Sequence, residues 1–322
     1  MTPKLKIGLA LGSGSARGMA HIGVIRAMEQ LGVKPDIICG SSVGSLIGAA
    51  YTIGKMDELG SWISELSTGD ILRYMDIRLA AGGGFAHGQK LMDHLRETMG
   101  EHQIESLPLQ FAAVATDLHS GREIWLKEGS IWDAVRASIA LPGILTPVAY
   151  RHHWLVDGGL VNPVPVSVCR AMGADIIIAV NLNGDLVGRH TVAQKSVHEN
   201  TVSPLQSPSE SSEDTETPEQ AEANFLSQLS NSIKDKTQPL LDQWRKPSDT
   251  LPGIFDVIAG SINIMQDRIT RSRLAGEPAD ILISPRLAHI GLLEFERAND
   301  AIEEGGNAVR RQIDQLRELI TE

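Results

Sequence analysis

Residues 40–44 read Gly-Ser-Ser-Val-Gly, a serine with a glycine two places to either side, directly after the apolar run Ile37-Ile38-Cys39. A serine at the apex of a strand-to-helix turn presents its hydroxyl at the carboxyl end of the strand, which is what a nucleophile elbow requires. Gly40 and Gly44 remove the Cβ atoms that would obstruct so sharp a turn. Ser42 is therefore the candidate nucleophile, and Ser41 lies off the centre of the glycine pattern. A helix starting at Val43 would add free N–H groups and the positive end of its dipole beside developing negative charge.

A serine nucleophile also needs an oxyanion site and a proton acceptor. Gly12-Ser13-Gly14-Ser15-Ala16-Arg17-Gly18 joins another apolar run to another helical pattern. Amides in such a turn can converge on an oxyanion or a phosphate. A dinucleotide fingerprint is the rival reading, but Arg17 stands where its third glycine belongs. That fingerprint also wants an acidic residue near the end of the second strand, whereas Asp36 stands at its beginning. The nicotinamide reading fails on both counts.

For the acceptor, Asp157 follows Leu155-Val156 at a predicted strand end and precedes Gly158-Gly159. Taken alone, Asp-Gly-Gly is an ordinary turn; the elbow and the glycine-rich loop in the same chain favour a chemical role. Asp117 is a second candidate base, and His21 is the histidine that a triad would recruit, although it also reads as a helix-face residue. Strand alternation sends His152 and His153 to opposite faces, so at most one of them can approach Asp157's side. Cys39 reads as packing inside its strand.

These residues need a scaffold of strands that end together. From residue 4 to about 185, short apolar runs alternate with helical patterns, which predicts a mainly parallel α/β sheet. Strands are expected at 5–12, at Asp36–Gly40, and within 109–118, 152–159, 174–182 and 279–287. Helices are expected at 16–32, stopped by Gly32, from Val43, at 129–140, over 251–275 and along most of 292–320. Ile258, Ile262 and Met265 form a stripe that reads as core. Residues 196–224 are rich in Ser, Glu, Thr, Pro and Gln, and are expected to form a mobile acidic insert within 186–248. Just beyond, Phe225, Leu226, Leu229 and Ile233 could form an apolar stripe for a membrane surface, but docking on the domain or on another subunit is the preferred reading.

The formal net charge of -11 argues against a nucleic-acid partner and against docking on anionic lipid by charge alone. Two cysteines, Cys39 and Cys169, suggest no disulfide framework, and no histidine or cysteine spacing suggests a metal site. No apolar run approaches the roughly 20 residues needed to cross a bilayer. A cytoplasmic protein with at most peripheral contact at the inner membrane face is expected.

Four blocks in order, "LALGSGSARGMAHIGVIRAME", "GSSVGSLIGAAY", "ATDLHSGREIWLKEGSIWDAVRASIALPGILTPV" and "LVDGGLVNPVPV", resemble the patatin-like phospholipase family, as do "IMQDRITRSRLA" and "HIGLLEF" near the end. The resemblance implies a three-layer α/β/α sandwich of patatin type, a single domain over 1–322 that carries the insert at 186–248 and is completed by 249–322. It implies a Ser42–Asp157 dyad in place of a triad, acting through an acyl-enzyme on carboxyl esters of phospholipids or lysophospholipids, with no cofactor. Amides around Gly14 and Ser15 would hold the oxyanion, and Arg17 would meet a lipid phosphate or brace the loop. The family's loop is usually a longer glycine run. Ser13 and Ser15 depart from it, and serine disfavours positive φ. Two other functions fit the same residues: an esterase or thioesterase on soluble acyl substrates, and a regulatory protein working through its acidic insert.

Overall fold

The computed structural model describes residues 5–66, 68–74, 76, 86–185 and 254–321. The chain divides into two compact units, residues 1–193 with 259–322 and residues 194–258. The sheet and the candidate site belong to the first. The expected acidic insert and the stripe Phe225, Leu226, Leu229 and Ile233 lie outside the described residues.

The strands are β1 (Ile7–Leu11), β2 (Ile37–Ser41), β3 (Gln110–Asp117), β4 (Glu123–Leu126), β5 (Val148–Tyr150), β6 (His153–Asp157), β7 (Ile176–Val180) and β8 (Ile281–Ile283). The helices are α1 (Ala20–Gln30), α2 (Val43–Thr52), α3 (Met56–Glu65), α4 (Thr68–Tyr74), α5 (Gln89–Met99), α6 (Ile131–Ser138), α7 (Val166–Ala171), α8 (Ile254–Gly276), α9 (Ala298–Arg310) and α10 (Ile313–Thr321).

The eight strands of the described residues join one sheet. β3, β2, β1, β7 and β8 run parallel in that order, while β4 and β6 pair antiparallel with β3 and β5 pairs antiparallel with β6. The sheet is thus mixed, with a parallel centre. Its central strands are apolar along most of their length because both faces are covered. Leu9, Leu11, Ile38, Phe111, Ile178 and Val180 enter one core with α1, α2 and α3. Ala10, Ile37, Cys39, Ala112, Val114 and Ile177 alternate onto the other face, against Val166, Val168 and Cys169 of α7 and Leu274 of α8. Helix, sheet and helix make three layers.

The predicted helix at 16–32 begins instead as a tight 3-10 turn over Ser15–Met19, and α1 proper starts at Ala20. Gly32 ends that helical run with φ +80, a conformation open to glycine. Ser130 caps α6 by accepting a hydrogen bond from the Asp133 N–H at 3.2 Å. Strands β4 and β5 and helices α3, α4, α5 and α7 were not anticipated. β4, β5, α4 and α7 are short, whereas α3 and α5 run for 10 and 11 residues with a clear apolar face that is legible in the sequence.

The register around β3 decides where chemistry can occur. Val114 pairs with Ser41 of β2 on one edge and with Trp125 of β4 on the other. Ala115 pairs with Ile124 of β4 and with Asp157 of β6. A residue has two edges only, so β2 and β6 share one. They run head to head along it and meet between Val114 and Ala115.

Candidate active site

Two chain reversals follow from that head-to-head meeting, because neither strand can continue through the other. β2 leaves at Ser42, which takes φ 54 and ψ -127, a strained conformation for a residue with a Cβ. Such strain costs on the order of 1–3 kcal/mol and persists only where surrounding bonds impose it. Here the Ser42 N–H donates to Ser138 Oγ at 2.9 Å, and that hydroxyl donates to the Val114 carbonyl at 2.6 Å. The Ser42 carbonyl accepts from Ser45 N at 2.8 Å and Ser45 Oγ at 2.6 Å.

The flanking glycines serve close approach. A Cβ on Gly44 would lie 2.2 Å from the Leu11 carbonyl oxygen, and one on Gly40 would lie 2.4 Å from the Ser45 backbone. Neither has positive φ; the positive φ falls on the serine itself.

β6 ends at Asp157 and reverses through Gly158 and Gly159. A Cβ on Gly158 would lie 2.1 Å from the Val114 carbonyl oxygen, so this turn presses against the point where β2 departs. The Asp157 carboxylate accepts from Ser42 Oγ at 2.6 Å through Oδ2 and from Gly159 N at 2.7 Å through Oδ1. Its backbone is fixed as well: N donates to Ala140 O at 2.9 Å, and O accepts from Thr116 Oγ1 at 2.8 Å. Burial pushes its pKa up to about 6, against the opposing pull of the Ser42 and Gly159 hydrogen bonds. A carboxylate so placed is ionised at neutral pH yet more basic than an exposed one.

The other titratable candidates point elsewhere. The Asp117 carboxylate accepts from Ser120 Oγ at 2.8 Å and His119 N at 3.1 Å, and pairs with His153 Nδ1 at 2.9 Å. Those bonds, Ser120's foremost, lower its pKa to about 2, so it is a weak base occupied by its own turn. His152 and His153 are exposed. His21 is buried and its Nε2–H donates to the Gly12 carbonyl at 2.7 Å. Burial lowers its pKa to about 4, so it braces the glycine-rich loop as a neutral ring.

The amides of that loop divide into bonded and unbonded ones. Gly12 N donates to Val180 O at 3.1 Å and Ser13 N to Pro163 O at 2.8 Å, which ties them to the sheet end. The N–H groups of Gly14 and Ser15 take no acceptor among the described residues, and both residues line the cavity that holds Ser42. Ser15 reaches φ 52 despite its Cβ. The next amide, Ala16 N, donates to Leu292 O at 3.1 Å and anchors the turn to the C-terminal segment. Arg17 is only 1% exposed, and its Nη2 donates to Asn263 Oδ1 at 2.9 Å. Burial lowers its pKa to about 10, against the attraction of Asp185. Its Nε and Nη1 are buried and have no partner among the described residues. Gly18 lies where a Cβ would come within 2.3 Å of the Val43 side chain, so loop and elbow pack directly together.

Ser42 and Asp157 open onto a cavity of about 160 Å³ with walls of carbon. Leu46, Ile63, Leu66, Leu141 and Ile144 line it from α2, α3 and its C-cap, and the segment after α6, and Leu292, Leu293 and Phe295 from the segment before α9. Ile262 and Gln266 enter from α8. Of the stripe expected as core, only Ile262 is buried; Met265 and Ile258 are exposed, at 48% and 40%. The wall residues beyond 185 were missed as site residues. "IMQDRITRSRLA" and "HIGLLEF" stood out in the sequence, without a feature that tied them to Ser42. Among the described residues, no group of three or more metal-ligating side chains converges, and no helix is long and apolar enough to cross a membrane.

Comparison with known proteins gives the following. Residues 9–170 match the family model described as Patatin-like phospholipase. An uncharacterized NTE family protein of Mycobacterium tuberculosis is 34% identical over 322 residues, covering 93% of this chain and 89% of that protein. The lysophospholipase nte1 of Aspergillus fumigatus is 33% identical over 191 residues, 55% of this chain and 12% of that much longer protein. Among solved structures, VipD of Legionella pneumophila matches with TM-score 0.52 over 97% of this chain and 67% of its own, at 13% identity, which is a likeness of fold.

Proposed function

The chain belongs to the patatin-like phospholipase family of lipid carboxylic ester hydrolases, and from that premise we propose that it works through a Ser42–Asp157 dyad on long-chain acyl esters. One observation carries the proposal: the Ser42 hydroxyl donates to a buried carboxylate at 2.6 Å, at the mouth of a carbon-lined cavity.

The chemistry follows from those atoms. Ser42 Oγ attacks the ester carbonyl carbon while its proton passes to Asp157 Oδ2. The resulting oxyanion takes the free N–H groups of Gly14 and Ser15, where one such donor contributes roughly 3–4 kcal/mol of transition-state stabilisation. Collapse breaks the acyl–oxygen bond, and the departing alcohol collects the proton from Asp157. Water then attacks the acyl-enzyme, with Asp157 as base, and releases the fatty acid and Ser42. Arg17, through Asn263, and His21, through the Gly12 carbonyl, hold the loop that carries the two amides. No step uses a metal or an organic cofactor.

The apolar walls favour an acyl chain of a phospholipid or lysophospholipid over a short, water-soluble acyl group. Residues 1–322 act in this reading as a single domain with its insert at 186–248. A fluorophosphonate probe should label Ser42, as located by mass spectrometry of the digested protein, and Ser42→Ala should lose both labelling and lipid ester hydrolysis. Labelling at another residue, or hydrolysis that survives Ser42→Ala, would overturn the proposal.

A further inference from the structure

Gln266 stands on α8, beyond the residues that match the family model, and lines the cavity with Ser42 and Asp157. It is 5% exposed. Its Oε1 accepts from Ser13 Oγ at 3.0 Å and from Asn183 Nδ2 at 2.9 Å. Two donors on the oxygen set the rotation of the amide and turn Nε2 the opposite way. There a Cβ on Gly159 would lie 2.5 Å from Nε2 and 3.0 Å from Asp157 Oδ1, so the amide nitrogen sits on the Oδ1 flank of the carboxylate. Nε2 has no acceptor among the described residues, yet unlike the sealed Nε and Nη1 of Arg17 it keeps access to the cavity.

A primary amide clamped at oxygen and open at nitrogen is a preorganised donor, and the wall around it is otherwise almost all carbon. The acyl chain has no acceptor to offer it, and the oxyanion is assigned to the amides of Gly14 and Ser15. What remains is the alcohol side of the ester, which must lie against Asp157 to collect its proton. On the basis of the dyad mechanism proposed above, we infer that Gln266 is a substrate-binding residue whose Nε2–H donates to a hydroxyl oxygen on the alcohol moiety, so that polyol esters are preferred to simple alkyl esters of the same acid.

The test compares monooleoylglycerol with propyl oleate, the same ester without the two hydroxyls, in mixed micelles with the full-length protein. Gln266→Met and Gln266→Leu each remove the amide and its donor, Met at similar length. The ratio of kcat/KM between the two esters cancels any change in the shared acyl chemistry. It should fall about tenfold in each variant, the scale of one hydrogen bond to a neutral group, with the loss carried mainly by KM for the glyceryl ester. An unchanged ratio in either folded variant overturns the assignment, as does an equal loss on both esters, which would mark a structural role. Far-UV circular dichroism identifies a variant that has not folded, and the other then decides. A wild type inert on both esters would sink the dyad reading and this assignment with it, whereas an active wild type with an unmoved ratio sinks the assignment alone.

Discussion

Replacing Asp157 by asparagine should abolish hydrolysis and, at alkaline pH, make the protein more stable. Asparagine fits the same hydrogen bonds: its oxygen can accept from Gly159 N, and its amide can donate to Ser42 Oγ. The substitution therefore removes one property, the capacity to carry a buried charge. Burial raises the Asp157 pKa from 3.8 to about 6. In the unfolded chain the carboxyl ionises first, so between those two values the folded state holds a proton that the unfolded state has released. Stability falls as pH rises through this window and levels off above it. The full penalty is about 3 kcal/mol, from about 2 pKa units at 1.36 kcal/mol each. Below the unfolded value both states are neutral and the penalty vanishes. Asparagine is neutral throughout, so the advantage of the variant should be about 1 kcal/mol at pH 4.5 and about 3 kcal/mol at pH 8. Urea titrations of wild type and variant at these two pH values measure it. The same ionisation should appear in catalysis, with wild-type kcat/KM falling about tenfold per pH unit below about 6. A stability difference that does not open with pH, or a variant less stable than wild type at pH 8, would refute the reasoning that Asp157 is held as a costly buried base.

Two other substitutions probe how the elbow is held. Ser138→Ala leaves the Ser42 N–H and the Val114 carbonyl without the hydroxyl that joins them, so stability should drop by about 1–3 kcal/mol; kcat should fall more than KM rises, and unchanged kcat with an unchanged urea midpoint would contradict the role. Gly44→Ala drives a Cβ to 2.2 Å from the Leu11 carbonyl, where only backbone can yield, and it should cost roughly 1–3 kcal/mol or more together with most of the activity. A thermal melt that coincides with wild type would show that the contact between elbow and loop is looser than described.

Much of this molecule was legible in the sequence because the relevant signals are local. Apolar runs such as Ile37–Cys39 and Ile176–Val180, buried on both faces, announce central strands whatever they pair with. Glycines two residues from Ser42 announce a turn that admits no Cβ, and the two glycines after Asp157 do the same for the second reversal. The loop's departures from a glycine run proved compatible with its shape, since Ser15 takes positive φ and Ser13 lends its hydroxyl to Gln266. Short elements such as β4, β5 and α4 left little local signal, while α3 and α5, which also line the cavity, had a legible apolar face but no chemical motif to draw attention to it.

The meeting of Ser42 with Asp157 was a different kind of question. It depends on β2 and β6 sharing one edge of β3 with adjoining registers. Strand alternation says which face a residue takes, but an apolar strand such as Gln110–Asp117 accepts several registers that local pattern cannot rank. Side chains more than a hundred residues apart were brought to 2.6 Å by that choice of register. Tertiary structure alone also turned His21 and Arg17 inward and carried Gln266 and Leu292 to the cavity, although no feature of their family-like blocks tied them to Ser42. The sequence by itself determined which residues could react; the long-range pairing of the sheet decided which of them meet, because pairing energy is summed over partners that the chain keeps far apart until it folds.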